Sequence, residues 1–176
     1  MKSDIFAITG VAVYAYLLSA IFQPPLVLAD EISISYPDGY RTWTFLHGSV
    51  VPAGFGAFSK SPCVKPCTSG IFYFYANEPA MKGLRTGIYA DGAIIAEEML
   101  ELRVGDKGNG GEGQRVLTAV MVKDSSRFAA TGGWGFGHFD EGSKTNALDA
   151  KAQQACYQCH TSRKDHGYVF TQYVER

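Results

Sequence analysis

Near its carboxyl end the chain reads Cys156-Tyr-Gln-Cys159-His160. Two thiols separated by two residues and followed at once by an imidazole suit one chemistry well. The thiols add across the two vinyl groups of a porphyrin and the imidazole binds its iron, which is the attachment of a c-type haem. On a helix, Cys156 and Cys159 lie at i and i+3, and His160 follows at i+4 from Cys156, so all three project from one face toward one macrocycle. A zinc reading needs a second well-spaced ligand pair, and the remaining cysteines, Cys63 and Cys67, form a Cys-x-x-x-Cys pair far upstream. Thioredoxin-like dithiols belong to a βαβ setting that this pattern lacks. One covalent haem c is the expected cofactor, with His160 on the iron.

Only 16 residues follow His160, so a second iron ligand has to come mainly from upstream. Met81, Met99, Met121, His47 and His138 are available there, with His166 downstream, and no spacing singles one out. Methionines in strand or helix patterns usually fill cores. His138 alternates with Phe136 along a strand pattern and could enter a pocket. An open sixth position is the expectation, with a six-coordinate electron carrier as the alternative.

The elements that must hold this motif can be read from periodicity. The composition is that of a globular protein, 46% hydrophobic and 19% charged, with a formal net charge of -1 that excludes a broad electrostatic footprint for nucleic acid. Residues 1–29 read as an export signal: Lys2, an apolar run from Ile5 to Phe22, and Val27-Leu28-Ala29 before the expected mature start at Asp30. An uncleaved anchor is the rival. Export to the periplasm agrees with haem attachment outside the bacterial cytoplasm and permits disulfides. Residues 30–176 are expected to form one domain. Strands are expected at Arg41–His47, Ile71–Ala76, Ala93–Leu102, Arg115–Val122, Trp134–Phe139 and Tyr168–Tyr173, each bounded by turn-forming residues. Asn77, Glu78 and Pro79 start a short helix that Thr86-Gly87 stops. Asp124 caps a turn through Phe128. Asn146–Arg163 is the longest helical candidate and carries the motif. Gly105–Gly113 is expected to be a mobile hairpin loop. The fold class is α+β, mainly an antiparallel sheet with a few short helices.

Several segments together resemble the cytochrome P-460 and cytochrome c′-beta family. They are Tyr36-Pro-Asp-Gly-Tyr-Arg-Thr-Trp43, Gly70-Ile-Phe-Tyr-Phe-Tyr-Ala-Asn77, Arg85-Thr-Gly87 with Asp91-Gly92, Val122-Lys-Asp-Ser-Ser-Arg-Phe128, Gly133-Trp-Gly-Phe136 and Tyr168-Val-Phe-Thr-Gln-Tyr173. The resemblance implies an antiparallel sheet, a homodimer, His160 as proximal ligand and an open distal pocket. It also implies two possible functions. P-460 members oxidise hydroxylamine with a haem joined to a lysine, whereas c′-beta members keep an ordinary haem and bind nitric oxide or carbon monoxide. The lysine position falls on Glu97, which has no amine; Lys82 and Lys107 are the nearest lysines in sequence. Phe72 lies near the position where P-460 members carry an arginine.

Binding of a diatomic is therefore the expected function, with a redox partner protein and iron redox cycling, and a hydroxylamine-oxidising enzyme as the alternative. Apolar rings around a five-coordinate iron exclude water while leaving room for two atoms. Phe55, Phe58, Phe72 and Phe74 are the distal-pocket candidates. Hydroxylamine oxidation would want a base near the iron, which Glu97, Glu98 or Asp165 could supply. Cys63 and Cys67, on a proline-punctuated loop, are expected to form a disulfide, with copper binding alongside a histidine as a weaker reading. Arg163, Lys164 and His166 could meet the haem propionates.

Overall fold

The computed structural model describes residues 33–51 and 70–173. Five strands form one antiparallel sheet in sequence order: β1 (Thr44–Val51), β2 (Gly70–Ala76), β3 (Ile94–Val104), β4 (Gly110–Lys123) and β5 (Trp134–Asp140). Two helices complete the fold, α1 (Glu78–Thr86) and α2 (Ala150–His160). This is the expected α+β class with a dominant sheet. Among the described residues no helix is long and apolar enough to cross a membrane.

Local chemistry sets the helix ends. The Asn77 side chain accepts from Ala80 N at 3.0 Å and so caps α1, and it also accepts from Ile94 N, tying the helix start to β3. At the other end Gly87 takes φ 77, a left-handed conformation that glycine adopts without a Cβ clash. Asp149 caps α2 through Ala152 N at 2.8 Å.

Alternation along the strands sorts side chains onto two faces. One face buries Ala76, Ile95, Met121, Trp134 and Phe136 together with Ala80 and Met81 of α1 and Cys156 of α2. On the same face Phe72, Met99 and Leu117 form a second buried group. The opposite face buries Tyr40, Ala96, Val120, Phe128 and Phe139 beneath the amino-terminal segment containing Ile34. Both helices thus contribute to a single layer over one side of the sheet.

Three expectations change. Tyr168–Tyr173 is not a strand: a short 3-10 run at Thr161–His166 follows α2, then Gly167 and Tyr168 both turn left-handed, at φ 65 and 69. The following residues are extended without a strand partner, because their backbone is used otherwise. Trp134 Nε1 donates to Gly167 O at 2.9 Å, and His160 binds Tyr168 O. The helix bearing the motif begins at Ala150 rather than Asn146, since the Asn146 side chain accepts from His138 N and Leu148 N and fastens the preceding loop to β5. Gly105–Gly113 is shorter as a loop than expected: the hairpin turn occupies 105–109, closed by Gly105 N donating to Asn109 O at 2.7 Å, and strand pairing resumes at Gly110.

Candidate functional site

Helix α2 carries Cys156, Cys159 and His160 on its last turn. Cys156 is buried in the shared core and Cys159 is exposed, and neither is in a disulfide. The His160 ring lies between two aromatic rings, 5.0 Å from Phe136 of β5 and 4.9 Å from Phe170. Its Nδ1 is 2.7 Å from the carbonyl oxygen of Tyr168. A carbonyl can only accept, so Nδ1 carries the hydrogen and Nε2 keeps its lone pair. Burial holds the ring below the ordinary imidazole pKa, against the opposing pull of the Tyr168 bond. A neutral ring with a fixed tautomer is what iron ligation requires. Two thiols and one imidazole with a free nitrogen, all at one end of one helix, fit the donor set of a c-type haem.

The sheet beside Phe136 is less completely covered than the rows around it. Strand register aligns five residues across it in one row: His47, Phe74, Glu97, Ala119 and His138. The neighbouring rows are buried, Ala76, Ile95, Met121 and Phe136 on one side and Phe72, Met99 and Leu117 on the other. Yet Phe74, Glu97 and Ala119, on the three central strands, are only half-buried. A central sheet position flanked by buried rows would ordinarily be fully buried, so this incompletely covered stretch beside Phe136 is the natural seat for a large flat group.

Residues in the row are unequally committed. His47 stacks on Phe74 with ring centroids 4.5 Å apart, and its Nε2 is 2.7 Å from Thr171 Oγ1. His138 is buried, with Nε2 3.3 Å from Asp140 Oδ1 and Nδ1 lacking a hydrogen-bond partner. Glu97 has no hydrogen bond or ion pair among the described residues, and burial raises its pKa from 4.5 to about 7. The carboxyl group is therefore a mixture of acid and carboxylate near neutral pH.

The remaining expected site residues separate. Phe74 stands in the open row, whereas Phe72 is one row away and buried against Met99 and Leu117. Phe55, Phe58, Cys63 and Cys67 lie outside the described residues, as do residues 1–29. Met81 and Met121 belong to the first core and Met99 to the second. Glu98 points to the opposite face, where Arg41 Nε donates to both carboxylate oxygens at 3.1 Å; it is not placed to serve the open row. Asp165 is exposed and pairs with the exposed His166 at 3.2 Å. Arg163 lies over the Phe170 ring at 5.8 Å, and its Nε is buried without a partner. Lys82 is exposed on α1, and Lys107 sits in the exposed β3–β4 turn. Lys123 shares the parity of the open row, but its Nζ donates to Gly132 O at 2.8 Å. A separate hollow of about 530 Å³, lined among others by Ser33, Tyr36, Asp38, Lys144 and Leu148, includes none of the motif residues.

Phe136 and Phe170, which clasp His160, were not singled out from sequence as its neighbours. The Gly-Trp-Gly-Phe136 pattern offered a signal, because glycines alternating with aromatics on a strand mark one crowded and one tightly approached face. A Cβ at Gly135 would fall 2.4 Å from the Phe128 ring.

No curated protein matches the chain in a comparison of whole sequences. The family model for cytochrome P460 matches residues 37–171, a stretch that includes the whole sheet, both helices, the open row and the Cys-x-x-Cys-His motif. The chain is a member of the cytochrome P460 family, and with it a haem protein of the c-type cytochromes.

Proposed function

We propose that this is an exported monohaem cytochrome whose haem is attached through Cys156 and Cys159, ligated by His160 Nε2, and left open on its other side to bind nitric oxide or carbon monoxide. The observation that carries this reading is the uncovered row beside Phe136. It presents a phenylalanine and an alanine, and no lysine stands in it among the described residues. Where a lysine would join the porphyrin, Glu97 supplies a carboxyl group that cannot make that bond.

When bound, the haem supplies an iron that takes neutral diatomics and changes oxidation state. The chain's own residues do the rest. Tyr168 O fixes the ring of His160, and Phe136 and Phe170 hold its plane, so the donor nitrogen is positioned before any ligand arrives. Phe74 supplies an apolar surface that disfavours water and anions. His47 and His138 are each engaged at Nε2, by Thr171 and Asp140, and the reading of a vacant sixth position rests on the apolar Phe74 and Ala119 of the row. Arg163, with its buried and unpartnered Nε, is suited to a propionate.

Glu97 also favours a second reading, oxidation of hydroxylamine, since a half-buried carboxyl group with a pKa of about 7 is a competent proton acceptor. Paramagnetic resonance of the resting ferric protein tests the open site. A high-spin signal is expected. An exclusively low-spin signal would mean that a methionine or histidine occupies the sixth position and that the protein is an electron carrier.

A further inference from the structure

We propose that Glu97 is a specificity-determining residue, whose carboxyl group donates a hydrogen bond to the small molecule bound on the open side of the haem. It would thereby favour ligands whose outer atom accepts a proton or a hydrogen bond. This rests on the haem reading above and goes beyond it by naming what the site selects.

Three observations support the assignment. Register places Glu97 directly opposite Phe74 and Ala119, in the middle of the open row and on the central strand of the sheet. A carboxyl group there is surrounded by a ring and a methyl group, neither of which can take its hydrogen. Nor does any described residue: Glu97 has no partner, while Glu98, one residue along, is bonded to Arg41. A half-buried polar group without a partner is costly unless something else completes it. Its raised pKa supplies the proton, because the neutral acid is the dominant form below about pH 7.

Other titratable groups face the same opening. They are His47 from β1 and the buried His138 from β5 in the same row, and His160 from α2 against Phe136 in the next row. Each has one nitrogen engaged, by Thr171, Asp140 and Tyr168 respectively. Glu97 differs in having neither carboxyl oxygen engaged.

The test uses carbon monoxide as probe on the intact holoprotein. The C–O stretching band of the ferrous complex is recorded by infrared spectroscopy across neutral pH in the wild type and in Glu97→Gln, Glu97→Leu, His47→Gln and His138→Gln variants. A hydrogen bond to the ligand lowers the stretching frequency. The wild type is expected to show a low-frequency band that gives way to a higher one as pH rises through about 7. Glu97→Gln retains a donor and is expected to keep a lowered, pH-independent band. Glu97→Leu is expected to show only the high-frequency band, and to bind oxygen or nitric oxide about fivefold more weakly, the worth of one net hydrogen bond. The two histidine variants are expected to keep the transition. A wild-type band that does not move with pH and coincides with that of Glu97→Leu overturns the proposal, as does loss of the transition in a histidine variant alone. Absence of any carbonyl band in the wild type overturns the haem reading as well, so the two failures are distinguishable.

Discussion

Glu97 and Glu98 are neighbours in sequence that face opposite sides of one sheet, and their surroundings could hardly differ more. Glu98 is only 1% exposed and fully served: Arg41 binds both of its oxygens, within a shell of Tyr40, Tyr75 and Thr118. Glu97 is less buried yet has no partner. On Glu98's face Arg115 joins Tyr36 and Thr118 in further structural contacts, and aromatic edges fill space between them, as where Tyr36 meets Phe139 at 5.2 Å. On Glu97's face the packing stops short and leaves an opening beside the ligand-bearing helix. A buried charge that is paired belongs to stability, whereas a polar group left unpaired at an opening awaits something. The sheet is thus a scaffold on one side and, in the function proposed, a binding surface on the other.

Substitutions can break this contrast, beginning with the motif. Replacing Cys156 and Cys159 together by alanine should abolish covalent haem, seen as loss of the haem mass from the denatured chain in mass spectrometry. Next in size, Phe136→Ala removes a buried ring that meets both the core and His160, and should cost about 4 kcal/mol in denaturant unfolding. It should also disturb the ferric spectrum. On the other face Arg41→Ala leaves Glu98 buried and unpaired, at a cost of about 3 kcal/mol, with the haem spectrum unchanged. Adding Glu98→Gln to it should recover part of that loss. If Arg41→Ala altered the haem spectrum as strongly as Phe136→Ala, the division between the faces would be wrong.

The smallest effect is the pH dependence contributed by Glu97. Its folded pKa of about 7 exceeds the ordinary 4.5, so the folded state binds this proton more tightly than the unfolded one. Its contribution is fully present below 4.5 and is lost as pH rises toward about 7 and above. Glu97→Gln should therefore increase stability above about pH 7 relative to wild type and change little below 4.5, as measured by unfolding at the two extremes. His160 works the other way. In the chain without haem, its lowered pKa means that the unfolded chain takes up the proton first as pH falls, so its contribution is lost on the acid side.

Much of this was legible in the residue order, for identifiable reasons. Helix α1 followed from Asn77 and Gly87, because capping is a local matter of one side chain and one left-handed glycine. Strands followed from β-branched and aromatic runs, and the Cys-x-x-Cys-His spacing pointed to a haem protein, as the family match does. Tyr168–Tyr173 reads as a strand by composition, yet its first carbonyl is taken by His160 and the preceding Gly167 carbonyl by Trp134, a tertiary claim that no local pattern reveals. The different fates of Glu97 and Glu98 are equally non-local. Alternation assigns them to opposite faces, but only the fold shows that Arg41, 57 residues away, serves one of them. The grouping of His47, Phe74, Glu97, Ala119 and His138 depends on the register of four strand pairs, including the bulge in β1 between Phe45 and His47.

The most direct measurement is the absorption spectrum of the dithionite-reduced holoprotein before and after addition of nitric oxide. A Soret band at the position of an unmodified c-type haem, which shifts on adding the gas, is the expected result. A strongly red-shifted band would instead show a porphyrin linked to a lysine, making the protein a hydroxylamine oxidase, and a spectrum indifferent to nitric oxide would show that the iron has no open side.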